Sequence, residues 1–322
     1  MALYPLRFTS RFKERIWGGD SLAAASGRRQ VAGRRIGESW DISGVAGDLS
    51  VVSNGLYKGS DLQDMAEIYM GDLLGQKVYQ KFGIEFPLLI KRIDTADMLS
   101  IQVHPDDALA AMRHNSYGKT ELWYITECQP GAYLYLGFRP GVTRAQYLDA
   151  VSSGCLPDLL QRYDVKAGEA YFIPAGTVHA IGSGNLLAEI QQSSDITYRI
   201  YDYNRKDADG NTRELHTGLA KDAIDYTNTE KCHKEEFSEK DGIVSLVDCE
   251  HFSTSKIKID SKREFQINGD SFRIIVCTEG RVTLTSNGES VELSAGFSAL
   301  IPAYAHSYQL DGHGAVLVTK AR

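Results

Sequence analysis

The stretch GEAYFIPAGTVH at 168–179 recurs as GFSALIPAYAH at 296–306, and this repeat limits the chain to few architectures. Each copy has a glycine, a short apolar run, Ile-Pro-Ala and a histidine. The glycine suits a turn, the apolar run a short buried strand, and the proline ends the strand because it donates no ladder hydrogen bond. A strand-and-turn unit used twice predicts two related β-barrel units. The histidine follows the proline by five residues in the first copy and four in the second, so only the first necessarily carries a site.

The rest of the chain agrees with a mainly β reading. Runs such as ESWDIS, ELWYITE, AYLYLGF and ITYRIYDY are rich in β-branched and aromatic residues and are separated by turn residues. Helical patterns are expected at about 60–83, starting from a Ser60 or Asp61 cap, at 105–115 after Pro105, and at 143–163 after a Thr143 cap, with a break around Gly154 and Pro157. A polar, charged segment at 206–242 is the best boundary, which gives an N-terminal unit at 1–240 and a C-terminal barrel at 241–322.

Of the 322 residues 43% are hydrophobic and 24% charged, and no run approaches the roughly 20 apolar residues of a membrane helix. A net charge of −7 disfavours a nucleic-acid partner but allows a local basic pocket for an anionic small molecule. The five cysteines (Cys128, Cys155, Cys232, Cys249 and Cys277) are scattered without paired spacing, which fits a reducing compartment. With no signal-type segment at the N-terminus, a cytoplasmic location is expected.

Chemistry concentrates in three segments. In SIQVHPDD, Gln102 and His104 lie two apart and share a face of a strand; in GKTELWYI, Lys119 and Glu121 do the same. His179 follows the Pro174 and Gly176 turn. Taken singly, each histidine reads more readily as an ordinary packed residue. Two imidazoles, a carboxylate and an amide oxygen together suit zinc or another divalent first-row ion with positions open to substrate. A single anionic ligand leaves such a site net positive, which keeps the ion a strong Lewis acid. His306 lacks a Gln-x-His or His-x-His pair ahead of it, and no metal is expected there.

The spacing of Gly168, Pro174, Gly176 and His179 resembles the second cupin motif. Gln102, His104 and Glu121 resemble the first, with glutamine in place of a histidine and the glutamate much further downstream. SIQVHPDD, GKTELWY, IPAGTVHAIG and AEIQQSSDITYRIYDYNR in that order resemble the type I mannose-6-phosphate isomerases in their short bacterial form, and the likeness runs from RIWGG at 15–19 nearly to the end. The resemblance implies two cupin-type β-barrel, jelly-roll units with a small helical insertion, and one zinc ion on Gln102, His104, Glu121 and His179. It also implies Arg199, Lys119, Lys91 and Glu189 as catalytic groups and Ser100, Arg205 and Asp195 as substrate-binding groups. RIYDYNR stands where the longer eukaryotic-type members carry RAGLTPK, so the phosphate end is the part expected to differ.

The implied reaction is aldose to ketose interconversion of mannose 6-phosphate and fructose 6-phosphate through an enediol, with a small-molecule sugar phosphate as partner and neither nucleic acid nor membrane. Two readings compete with it: a sugar-phosphate-binding cupin protein without turnover, and another metal-dependent cupin enzyme. The retained cations count against the first, and an oxygenase would use more histidine than this site offers.

Overall fold

A computed structural model describes residues 3–25, 33–206, 209–227 and 238–322. Of the polar, charged segment expected at 206–242, residues 207–208 and 228–237 lie outside them. The chain divides into two compact units, one made of Met1–Arg11, Trp40–Lys91 and Glu235–Arg322, the other of Phe12–Ser39 and Arg92–Lys234.

The chain is mainly β. A six-stranded sheet has the order β1 (Arg11–Gly19), β2 (Ile36–Ser43), β3 (Leu88–Thr95), β10 (Asn185–Gln192), β5 (Glu121–Cys128), β8 (Ala170–Ile173). Strands β2 and β3 run through the points of division between the units. A five-stranded sheet has the order β11 (Tyr198–Tyr201), β4 (Ile101–Val103), β9 (His179–Ile181), β6 (Tyr133–Phe138), β7 (Leu160–Asp164).

In the second unit the two sheets share one core. Trp17, Ile93, Trp123, Ile125, Tyr171, Ile173 and Leu187 from the larger sheet pack with Leu134, Leu136 and Ile181 from the smaller. Burying each such side chain contributes about 1.5–3 kcal/mol. Alternation fixes what else faces inward. Ile101 and Val103 on β4, Ala180 on β9, and Tyr198 and Ile200 on β11 pack together in a different cluster, with Tyr147 and Ala220. Gln102, His179 and Arg199, at the intervening positions, therefore face the other way.

The first unit carries an eight-stranded sheet in which β12 (Ser238–Lys240), β13 (Ile243–Asp248), β14 (Phe252–Ile259), β19 (Ser307–Ala321), β16 (Arg273–Ser286) and β17 (Glu289–Ser294) follow one another. Off that path β15 (Arg263–Gln266) pairs with β19, and β18 (Ser298–Ile301) with β16. Its core is aliphatic, with Ile259, Ile275, Val282, Leu284, Leu293, Ile301, Leu310 and Val316 fully buried.

The repeated segment has the same local form in both places. Gly168 (φ 91°) and Gly296 (φ 85°) take a left-handed conformation and donate to the carbonyls of Ile125 and Cys277. A turn closes beyond each proline, with Thr177 N donating to Pro174 O and Ala305 N to Pro302 O.

Six helices are described: α1 (Ser21–Ala25), α2 (Leu62–Leu74), α3 (Gln76–Phe82), α4 (Asp107–His114), α5 (Arg144–Ser153) and α6 (Thr217–Ala223). The stretch expected to be helical at 60–83 starts from Asp61, whose carboxylate accepts from Asp64 N. It is broken at Met70, whose φ is 46°, and again at Gly75, whose φ of 97° no helix accommodates and whose Cα packs so close to Asp270 and Ser271 that a Cβ would come within 2.4 Å of their backbone. The pattern expected over 143–163 starts at the Thr143 capping box and ends at Ser153, because Gly154 turns left-handed; a short 3-10 turn, Leu156–Leu159, then leads into β7. No described helix is long and apolar enough to cross a membrane.

Candidate active site

The inward faces of the two sheets bring together residues far apart in sequence. His104 leaves the end of β4, Glu121 starts β5 and His179 starts β9. Their ligand atoms all lie within 4.8 Å of one another, and the three side chains are buried. His104 Nε2 is 3.4 Å from Glu121 Oε1, and His179 Nε2 is 3.9 Å from Oε2. Gln102 sits directly opposite His179 on one side of β4 and opposite Arg199 on the other, so register places it on the same face as both.

The histidines are oriented from behind. His104 Nδ1 donates to Ile196 O and His179 Nδ1 to Thr177 O, each at 2.8 Å. With both Nδ1 protons committed, each Nε2 lone pair is directed at the cluster, which is how metal-ligating imidazoles are set. Burial, reinforced by the Lys119 charge, pulls His104 down to about 3, and burial likewise lowers His179, so both rings are neutral. Burial alone would raise Glu121, but the Lys119 charge beside it holds its carboxyl well below the usual carboxylate range.

Lys119 completes the constellation. Its Nζ lies 3.2 Å from His104 Nε2 and 2.9 Å from Glu121 Oε1, the latter at an ion-pair distance but too oblique for a hydrogen bond. Both Glu121 oxygens and His179 Nε2 are thus buried without a hydrogen-bond partner among the described residues. Orphaned buried acceptors of this kind are costly unless something else satisfies them. A carboxylate and two neutral imidazoles aimed at one point fit a divalent ion, with Gln102 positioned to add an oxygen.

The segment carrying Lys119 and Glu121 is clamped from both sides. Asp107 Oδ1 accepts from Gly118 N at 2.7 Å and from Gln192 Nε2 at 2.9 Å, while Gln192 Oε1 accepts from Thr120 N at 2.9 Å. Lys119 N donates to Pro105 O, so the insertion that separates His104 from Glu121 also fixes the approach to β5. In sequence Asp107 is one more acid after Pro105, and no motif marks Gln192. The close packing of Gly118, where a Cβ would meet Asp107 N at 2.6 Å, is the only local hint of this clamp.

Each of the other expected residues has its own local setting. Glu189 is buried on β10 opposite Trp123, whose indole Nε1 donates to its Oε2 at 2.8 Å. Arg199 donates from Nη1 to Glu214 O, while its buried Nε has no hydrogen-bond partner among the described residues. Burial lowers its pKa, and the Arg213 charge adds to the effect. His216 accepts the Arg199 backbone N–H on its Nδ1. Ser100 is buried and Asp195 exposed. Lys91, buried on β3, stacks its ammonium 5.1 Å from the Trp40 ring centre.

Arg205 belongs to a second ionic group. Asp202 Oδ1 accepts from Arg205 Nε at 3.2 Å, and Asp202 Oδ2 accepts from Arg213 Nε at 2.7 Å. Burial by itself raises the Asp202 carboxyl, but these hydrogen bonds outweigh it and hold the group below its ordinary value. A carboxyl depressed on folding adds stability that is present above its unfolded pKa of about 3.9 and is lost as pH falls through the folded value. Thermal unfolding of the wild type should therefore fall off more steeply below about pH 4 than that of Asp202→Asn, which should be the less stable protein near neutrality. Parallel pH dependences in the two proteins would remove Asp202 from the acid response.

The fold and the site together define a cupin-type protein with a centre able to hold one divalent ion. Two family descriptions match the chain: "Phosphomannose isomerase type I, catalytic domain" over residues 5–127, and "Mannose-6-phosphate isomerase, cupin domain" over 242–321. The mannose-6-phosphate isomerase ManA of Bacillus subtilis is 35% identical over 322 residues, covering 99% of each chain, and the mannose-6-phosphate isomerase of Streptococcus mutans is 33% identical over 96% of this chain and 95% of that one. The crystal structure of the mannose 6-phosphate isomerase from Bacillus subtilis matches with a TM-score of 0.87 at 34% identity, covering 98% of this chain and 99% of that one. The chain belongs to the type I phosphomannose isomerase family.

Proposed function

We propose that this enzyme interconverts mannose 6-phosphate and fructose 6-phosphate, with one zinc ion held by Gln102, His104, Glu121 and His179. The observation that carries the reading is the buried set of acceptors that have no hydrogen-bond partner among the described residues, both oxygens of Glu121 and Nε2 of His179, in a chain whose full-length relatives bear the name of this activity. The bound ion supplies electrophilic stabilisation of the negative charge that develops on a sugar oxygen.

The residues around it do the rest. Moving a proton between C1 and C2 demands positive charge near the enediol oxygens, which Lys119, Arg199 and Lys91 provide. Arg199 keeps its proton near neutrality and so acts as an electrostatic and orienting group. Glu189, a buried carboxylate, is the group of the right chemical type to carry the proton. Ser100, Arg205 and Asp195 hold the remainder of the sugar phosphate, with Arg205 suited to the phosphate end.

A coupled assay of fructose 6-phosphate formation from mannose 6-phosphate tests this on chelator-treated and zinc-restored protein. Turnover should disappear on metal removal and return with zinc. Turnover that persists in fully metal-depleted protein sinks the metal-dependent mechanism, and zinc binding with no turnover points to a sugar-phosphate-binding protein instead.

A further inference from the structure

We propose that Trp123 is a positioning residue of this site, holding the Glu189 carboxylate in place through its indole N–H. The inference deepens the function proposed above and rests on the role given there to Glu189.

Trp123 reads from sequence as one more aromatic in a core strand, and its ring does pack in the core. Its polar edge has a separate task. The residue is 0% exposed, and its Nε1 donates to Glu189 Oε2 at 2.8 Å across the β5–β10 pairing, in which the two residues stand directly opposite each other. The same ring stands edge-on to the His179 imidazole, with ring centres 5.3 Å apart and planes at 79°. One side chain therefore touches both a candidate ligand and the candidate proton carrier.

An indole N–H suits this task because it is donor-only and does not titrate near neutrality. A hydroxyl in its place could turn to accept from a protonated carboxyl, whereas the indole rewards only an acceptor oxygen at a fixed place. A rigid, fully buried ring also leaves the carboxylate little freedom to rotate away, and catalytic groups misplaced by about 1 Å lose on the order of 100-fold in rate.

Trp123→Phe removes the N–H and keeps an aromatic ring beside His179. It should lower kcat by about tenfold or more, with KM changed less than about twofold and zinc content unchanged. Replacing Trp123 by benzothienylalanine, which keeps the indole shape without the N–H, should give the same loss and remains informative if the phenylalanine variant folds poorly. The decisive comparison repeats the substitution in a Glu189→Gln background, where the further loss should vanish because both changes disable one group. An equal additional loss in that background overturns the inference alone and makes Trp123 a packing residue. Loss of zinc from Trp123→Phe also overturns it, since the ring would then act through His179. Full turnover in Glu189→Gln overturns the inference together with the role of Glu189.

Discussion

Replacing His179 by alanine should leave the protein without bound metal and without measurable turnover. His179 supplies one of three buried donors that converge within 4.8 Å, and no other histidine, cysteine, aspartate or glutamate is grouped with them among the described residues. Changes behind a metal ligand cost roughly 10–100-fold in affinity or activity, so loss of a ligand itself should exceed 100-fold in both. The substitution also leaves Thr177 O without the proton it accepts from Nδ1, so a loss of about 1–3 kcal/mol in folding stability should accompany it. Metal analysis after dialysis separates the two effects. His306→Ala, at the equivalent place in the second copy of the repeat, is the control: His306 is exposed and should alter neither metal content nor rate. Retention of one equivalent of zinc by His179→Ala would falsify the ligand assignment.

Gly280→Ala should be the most damaging single methyl group in the C-terminal sheet. Gly280 stands opposite Gly314 in the β16–β19 pairing, just after the bulge at Cys277/Glu279. Its φ is 68°, and a Cβ there would lie 2.1 Å from His313 O. A left-handed conformation costs a side-chain-bearing residue about 1–2 kcal/mol, and forcing extra volume into packed structure adds about 1–3, for a total of roughly 2–5 kcal/mol. The clashing atom is backbone, which cannot swing aside as a flexible side chain would. Urea denaturation should show this loss, with zinc content per folded chain unchanged. A change below about 0.5 kcal/mol, the range of ordinary surface substitutions, would mean that the strands can part at this point.

The sequence was most readable where local chemistry and final structure ask for the same residue. Gln102 lies within β4 and His104, Glu121 and His179 sit at strand ends, where alternation fixes the facing of each side chain, and the repeat marks two strand-and-turn units whose glycines both have positive φ. It was least readable where a residue's task depends on a partner far along the chain. Asp107 looks like an acid in the first turn of a helix, and it is one, but its carboxylate also holds Gly118 and Gln192. Trp123 meets Glu189 across 66 residues, and His216 meets Arg199 across 17. No periodicity records such pairs, because strand pairing brings them together only when the sheets close. The split of the 60–83 helix was hidden for a similar reason: Gly75 is one tolerable glycine in a helical pattern until the backbone of Asp270 and Ser271 packs against it.

The carbonyl of Ile196 accepts the Nδ1 proton of His104, and three residues later the same chain places Arg199 on β11. The aim of a candidate metal ligand and the placement of a candidate catalytic cation are thus set by one short connection. A change of sequence or length between Gln192 and Tyr198 cannot adjust one without disturbing the other. Variation that retunes the enzyme for a different sugar should be scarce in that connection, and should fall instead on surface segments that touch only one of the two.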